Sequence, residues 1–360
     1  MLDCTGLQEE RFAHAFQLVH QAIDNKTFPG AALAVVLRGE LLALRGFGHF
    51  IYEADSPEVS RETMWDLASL TKPLATTSMA MLLFDRGKLD LDMPVADCLP
   101  EFLGDSGQGF WRRSVTIRML LAHSSGLPGH RKLYLECDGR EEMLRAVMQV
   151  PLEAAPGTRT EYSDIGFIVL GELLERIAGE RLDVFCKREI FSPLQLGLSF
   201  IPETTVRQGI PATVDDITYR LRIVQGEVND ENASAMGGIA GHAGLFGDAL
   251  SVARIAECML RGGEGLFKPE TVHFFTTRQE TPLGTSRTLG WDTPSEPSQS
   301  GTGFSCRSFG HLGYTGTSLW CDPDRGLSVT LLTNRTWPDG QNQAIKQFRP
   351  ALHNAIVSAL

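Results

Sequence analysis

Strand-forming runs lie at the two ends of this chain with a long helical stretch between them, and that placement constrains the fold more than any other feature. Ala31 to Leu37 and Leu41 to Phe50 are short apolar runs, joined by Arg38-Gly39-Glu40, which suits a tight hairpin turn. Phe309 to Gly313, Thr317 to Cys321 and Leu327 to Leu332 form a second set, the last two joined by the turn Asp322-Pro323-Asp324-Arg325-Gly326. A strand left without a partner exposes a row of backbone N–H and C=O groups, so the two sets are expected to pair with each other. Leu7 to Ile23, with Phe12, Phe16 and Val19 at helical spacing, precedes the first set, and a helix from Gln341 to Leu360 follows the last.

Between the ends the pattern is helix and loop. Helices are expected from Ser69 to Gly87, with Gly87 as C-cap, from Thr116 to Leu121, from Glu141 to Val150, from Ile165 to Ala178 stopped by Gly179, and from Leu250 to Leu260. Leu89 to Phe102 and Gly284 to Ser308 read as loops, the second around a short strand near Leu289-Gly290-Trp291. The expected fold class is therefore α/β, in the α+β sense. Its antiparallel sheet comes from the N- and C-terminal strands and is flanked by helices, with a mostly helical lobe inserted. Residues 1–68 and 285–360 would form the sheet lobe and 69–284 the helical lobe, with a ligand site where they meet.

Length and charge narrow the function. At 360 residues the chain exceeds the size at which a single core stops growing, which suits one two-lobed unit. A net charge of -11 argues against nucleic acid and gives no reason to expect an anionic membrane surface as partner. The start Met1-Leu2-Asp3-Cys4 has no cationic segment followed by an apolar run, so a cytoplasmic protein is expected. No stretch reaches the roughly 18 apolar residues of a membrane span. Seven scattered cysteines without a Cys-x-x-Cys pair read as thiols, implying neither zinc nor disulfides.

Chemistry concentrates in Trp65-Asp66-Leu67-Ala68-Ser69-Leu70-Thr71-Lys72-Pro73. Ser69 and Lys72, three residues apart on a helix, share one face, so the amine can reach the hydroxyl and act as its proton acceptor in covalent acyl transfer. Pro73 marks a first helical turn, where the dipole opposes a protonated lysine. Three further stretches join it: Glu161-Tyr162-Ser163-Asp164-Ile165-Gly166 before a helix, His311-Leu312-Gly313-Tyr314-Thr315-Gly316 on a strand, and His123-Ser124-Ser125-Gly126-Leu127-Pro128 between Pro73 and Glu161. No Gly-x-Ser-x-Gly elbow and no His-Glu-x-x-His zinc motif occurs.

With these stretches in order, joined by Gly87-Lys88-Leu89-Asp90-Leu91-Asp92 and Asp322-Pro323, the sequence resembles the penicillin-recognising serine hydrolases. Within that family it resembles the branch of class C β-lactamases, DD-peptidases and related esterases. The resemblance implies Ser69 as nucleophile, Lys72 as its activating partner and Tyr162 as the group sharing proton transfer with the leaving group. It implies an oxyanion hole from the N–H groups of Ser69 and Tyr314, and no metal or organic cofactor. The partner implied is a small-molecule or peptide substrate, cell-wall peptide fragments among the candidates.

Two departures bear on the substrate. The family's usual Asn is Asp164 here, which when ionised only accepts hydrogen bonds and is placed to pair with Lys72. The usual Lys-Thr-Gly strand is His311-Leu312-Gly313, in which Leu312 lacks the hydroxyl that helps hold a substrate carboxylate. Asp164, His311, Gly313 and Tyr314 are thus the candidate substrate contacts, and efficient β-lactam hydrolysis is not expected. The leading expectation is an esterase or an amidase/peptidase. The rivals are β-lactamase or DD-peptidase activity proper, and a non-catalytic penicillin-binding sensor. His123 reads as a capping or core residue, and His242, in the glycine-rich run from Gly237 to Gly244, as part of a structural turn.

Overall fold

Alternation along the first hairpin fixes two faces. In the computed structural model, which describes residues 5–53, 55–104 and 107–360, β1 (Gly30–Leu37) and β2 (Glu40–Gly48) pair antiparallel. With β3 (Phe309–Leu312), β4 (Ser318–Asp322) and β5 (Leu327–Thr333) they make an antiparallel sheet in the order β2-β1-β5-β4-β3. The N-terminal hairpin therefore docks on the last strand, with Ala31 opposite Thr333 and Leu37 opposite Leu327. The stretch Met1-Leu2-Asp3-Cys4, on which the reading of the leader rests, lies outside the described residues.

Ala31, Leu33 and Val35 of β1, with Val329 and Leu331 of β5, pack against Phe12, Phe16 and Val19 and against Phe348, Leu352 and Ile356. The first trio belongs with the helix Ala13–Asp24 and the second with Ile345–Ser358, so the two terminal helices share one face. The alternate residues Ala32, Ala34 and Val36 face the other way, where Ala249–Leu260 packs on the sheet. Beyond it lie the helical run from Ala68 to Asp85 and the long helix Asp164–Ala178, whose apolar side chains are buried nearly all round.

Several elements differ from expectation. The first helix is two, Thr5–Arg11 and Ala13–Asp24, because buried Phe12 breaks the run at φ -104 and ψ 21. Leu289-Gly290-Trp291 is a turn, not a strand: Gly290 has φ +86 and donates to Leu121 O, and only the isolated bridges Arg287–Asp292 and Asp292–Gly310 lie nearby. Leu89 to Phe102 contains the short helix Val95–Cys98 and a 3-10 turn. Two small sheets went unread: Trp65–Asp66 and Ser199–Phe200 flank Leu245–Gly247, and Ala212–Asp216 pairs with Arg222–Gln225. Among the described residues no helix is long and apolar enough to cross a membrane.

Candidate active site

The approach to Ser69 is bent by one buried carboxylate. Asp66 accepts the N–H of Ala68 at 2.8 Å and of Asn229 at 2.6 Å, and Ala68 takes φ +47, the left-handed region that a residue with a Cβ rarely adopts. Burial pushes the Asp66 carboxyl up to about 6, although both N–H groups favour its anion. The tight turn Ala68–Leu70 delivers Ser69 to the start of the helical run, with its side chain half-buried at the cleft floor.

Beyond Ser69 the helix opens to a π-helical pitch over Lys72–Thr77 before settling into Ser78–Asp85. Lys72 is fully buried, and its ammonium spends all three hydrogens: on Ser69 Oγ at 2.9 Å, on Asp164 Oδ1 at 2.7 Å and on the carbonyl of His242 at 3.1 Å. Burial acts to lower its pKa, but Asp164 and then Tyr162 outweigh it, and the net shift is upward. Burial likewise acts to raise Asp164, yet Lys72, His130 and His242 hold the carboxyl well below the usual carboxylate range. The expected pairing of Asp164 with Lys72 is present. Beside the Asp164 carboxylate the charged form of Lys72 is favoured, and in that form it donates to Ser69 Oγ.

Tyr162 stands over this pair, its ring 4.7 Å from Lys72 Nζ. Burial raises its pKa, opposed by Lys72 and by a hydrogen bond involving Ser69, so the phenol sits between nucleophile and ammonium. His123 holds it there. The imidazole ring lies 4.7 Å from that of Tyr162, and its Nδ1 accepts the Ser163 N–H at 3.0 Å. The buried His123 is thus a support, as expected, and burial with nearby Arg287 and Lys72 keeps its pKa well below the usual histidine value. Ser163 caps the helix Asp164–Ala178 by accepting the Gly166 N–H at 2.9 Å, and this places Asp164 in the first turn.

On the sheet side, the turn after β3 is pinned to the backbone just before Ser69. Thr315 Oγ1 donates to Asp66 O at 2.9 Å and Thr317 Oγ1 to Leu67 O at 3.0 Å. Gly313 is required at this seam: a Cβ there would lie 1.9 Å from Thr317 Oγ1 and 2.8 Å from Leu67 O. Turn hydrogen bonds engage the N–H groups of Gly313 and Gly316, and those of Ser69 and Tyr314 have no acceptor among the described residues. Both residues line the cleft, so two unpartnered N–H groups are available to an incoming oxygen.

His311 lines the same cleft but is only 3% exposed. Its Nδ1 lies 2.8 Å from Leu312 O, an acceptor, so Nδ1 carries the hydrogen; burial, with Lys72 and Arg287 next in effect, pushes its pKa well below the usual value. His311 is thereby held toward its neutral form. Arg287, missed in the sequence, lines the same cleft with its guanidinium carbon 5.2 Å from the Tyr162 ring and a long 3.4 Å contact to Asp292. A lone arginine in a Ser- and Thr-rich loop carries no sequence signal.

Asp230 and His130 were also missed. Asp230 Oδ1 lies 2.8 Å from His242 Nε2 and caps the helix Glu231–Ala235. This fixes the glycine-rich loop, whose His242 carbonyl meets Lys72, so the loop is a structural turn that borders the cleft. His130 Nδ1 is 3.8 Å from Asp164 Oδ2, and that carboxylate raises the imidazole's pKa. Ligand atoms of His130, Asp164 and Asp230 lie within 4.8 Å of one another, the one such potential metal-donor group among the described residues. Oδ1 of each carboxylate is already taken by Lys72 or His242, so the group reads as an ion-pair network facing the cleft. The cleft has a volume of about 700 Å³, with Tyr134 and Tyr314 at its rim.

The family model "Beta-lactamase" matches residues 15–350. An N-acetylmuramyl-L-alanine amidase of Bacillus subtilis (strain 168) is 33% identical over 349 residues, covering 86% of this chain and 77% of that protein. The structure of EstCE1, a hydrolase with promiscuous acyltransferase activity, superposes with a TM-score of 0.77 at 25% identity, covering 96% of this chain and 99% of that one. A penicillin-binding protein homologue from Caulobacter crescentus shares the fold, with a TM-score of 0.76 at 19% identity over 99% of each chain.

Proposed function

This chain belongs to the beta-lactamase family of serine hydrolases, and on that premise we propose that it is an amidase for small muramyl peptides, working through an acyl-Ser69 intermediate. Ser69 Oγ attacks the amide carbonyl carbon while its proton passes to the Tyr162 oxygen, and the phenol gives up its own proton to the leaving nitrogen, so Tyr162 ends as it began, a neutral phenol. The N–H groups of Ser69 and Tyr314 take up the oxyanion. The C–N bond breaks on the protonated nitrogen, and water releases the acyl group by the same relay in reverse. Lys72, held charged by Asp164, steadies the Ser69 oxygen and stabilises negative charge arising on Tyr162.

The observation that carries the substrate class is the mixed polarity of the cleft lining. Asp164, Asp230 and Glu231 offer acceptors for the hydroxyl and amide N–H groups of an amino sugar. Arg287 and Lys132, in a lining that also holds His130 and Asp292, offer cations for a peptide carboxylate. The volume of about 700 Å³ admits a sugar with one or two amino acids. The amidase relative supports the same class. The test is a panel of N-acetylmuramyl-L-alanine, p-nitrophenyl esters and D-Ala-D-Ala peptides, with Ser69→Ala as blank. Release of L-alanine in preference to the others, absent in Ser69→Ala, is expected. Ester turnover with no muramyl amide turnover would establish a carboxylesterase instead.

A further inference from the structure

Arg349 is a buried charge for which the reaction outlined above has no use. It projects from the helix Ile345–Ser358 into the underside of the turn after β3 and is 5% exposed. Its guanidinium donates to Gly313 O at 3.2 Å and to Thr317 O at 2.8 Å, while its Nε has no partner among the described residues. Burial, and then Arg335, push its pKa down to about 9, and no carboxylate contributes. A buried cation without a counter-ion is costly, and two peptide carbonyls could be met more cheaply by neutral donors.

The identity of one carbonyl suggests what the charge does. Gly313 C=O and Tyr314 N–H belong to the same planar peptide unit, whose two ends are conjugated. A positive charge on the oxygen draws electron density from the nitrogen and makes the N–H a stronger donor on the opposite, cleft-facing side. We propose that Arg349 is a positioning residue that strengthens the oxyanion hole from behind, by polarising the Gly313–Tyr314 peptide. It touches neither substrate nor Ser69. The neighbouring Arg335 is an internal control: it also grips the turn, donating to Tyr314 O at 2.7 Å, but that oxygen belongs to the next peptide unit.

This inference rests on the assignment of Ser69 and the Tyr314 N–H as catalytic groups, and the experiment separates the two. Wild type, Arg349→Met, Arg349→Lys and Arg335→Met are first labelled with a fluorophosphonate and the Ser69 adduct is read by mass spectrometry. Each is then acylated by a slowly hydrolysed aryl ester carrying a ¹³C carbonyl, and the carbonyl stretch of the acyl-enzyme is recorded by infrared difference spectroscopy. Arg349→Met should retain KM within about twofold and lose about tenfold in kcat, less than the ~10²–10³ for loss of a whole oxyanion donor. Its acyl carbonyl should stretch at higher frequency, with Arg349→Lys recovering part of both effects and Arg335→Met keeping the wild-type frequency. If Arg349→Met does not accumulate folded, Arg349→Gln, which keeps a neutral donor, carries the same comparison. An unchanged frequency in the Arg349 variants, or an equal shift in Arg335→Met, would overturn the proposal. A wild-type Ser69 that takes no label would instead overturn the reading of the site, and this proposal with it.

Discussion

At Lys72 the charge state decides which group carries the proton. The proposed reaction sends the proton of Ser69 through the phenol of Tyr162, whose ring lies 4.7 Å from the Lys72 ammonium. Tyr162→Phe removes that hydroxyl and keeps the ring packed on His123, so turnover should fall by roughly 10²–10⁴-fold with little change in melting temperature. Asp164 sets the pH range. Its anion is what raises Lys72 against burial, so in Asp164→Asn burial gains the upper hand and the ammonium loses its proton at lower pH. The high-pH limb of the kcat/KM profile should move to lower pH in that variant; a superimposable profile would free Lys72 from its assigned role. The Ser69–Lys72 spacing and the Tyr162-Ser163-Asp164 run were legible because their geometry is local. Arg287, Asp230 and His130 were not, because each sits singly on a loop and gains meaning only where distant segments converge.

At the scale of elements, two backbones meet so closely that no side chain fits between them. Gly241, in the loop that offers the His242 carbonyl to Lys72, lies against the helix Asp164–Ala178 at Gly171, and a Cβ on it would stand 2.1 Å from Phe167 O. Gly241→Ala should therefore destabilise the protein by ~1–3 kcal/mol in urea unfolding, with a loss of activity as the His242 carbonyl moves away. Wild-type stability with wild-type activity would mean that the loop has slack. The long helices and the five sheet strands were readable because each has enough residues to show a period. The strands Trp65–Asp66, Ser199–Phe200 and Leu245–Gly247 are two or three residues long and show none, although they frame the approach to Ser69. The apparent strand around Leu289 was apolar for another reason: Leu289 and Trp291 are buried in a turn against the helical layer.

In the whole molecule the sheet joins the chain's two ends, as the strand runs at the termini led one to expect, with the first strand paired on the last. Leu283 is fully exposed, on the loop that precedes the last three strands. A chain divided there into residues 1–283 and 284–360 should stay unfolded as separate pieces and regain Ser69 labelling when they are co-expressed, read by fluorophosphonate capture. Labelling of the first piece alone would contradict the dependence of the site on β3 to β5. That dependence runs through two hydroxyls, Thr315 on Asp66 O and Thr317 on Leu67 O, each spanning about 250 residues of sequence. Ser69 is made early, and the threonines that brace its approach about 250 residues later. A nascent chain thus carries the serine long before it carries the hydroxyls that hold it in place.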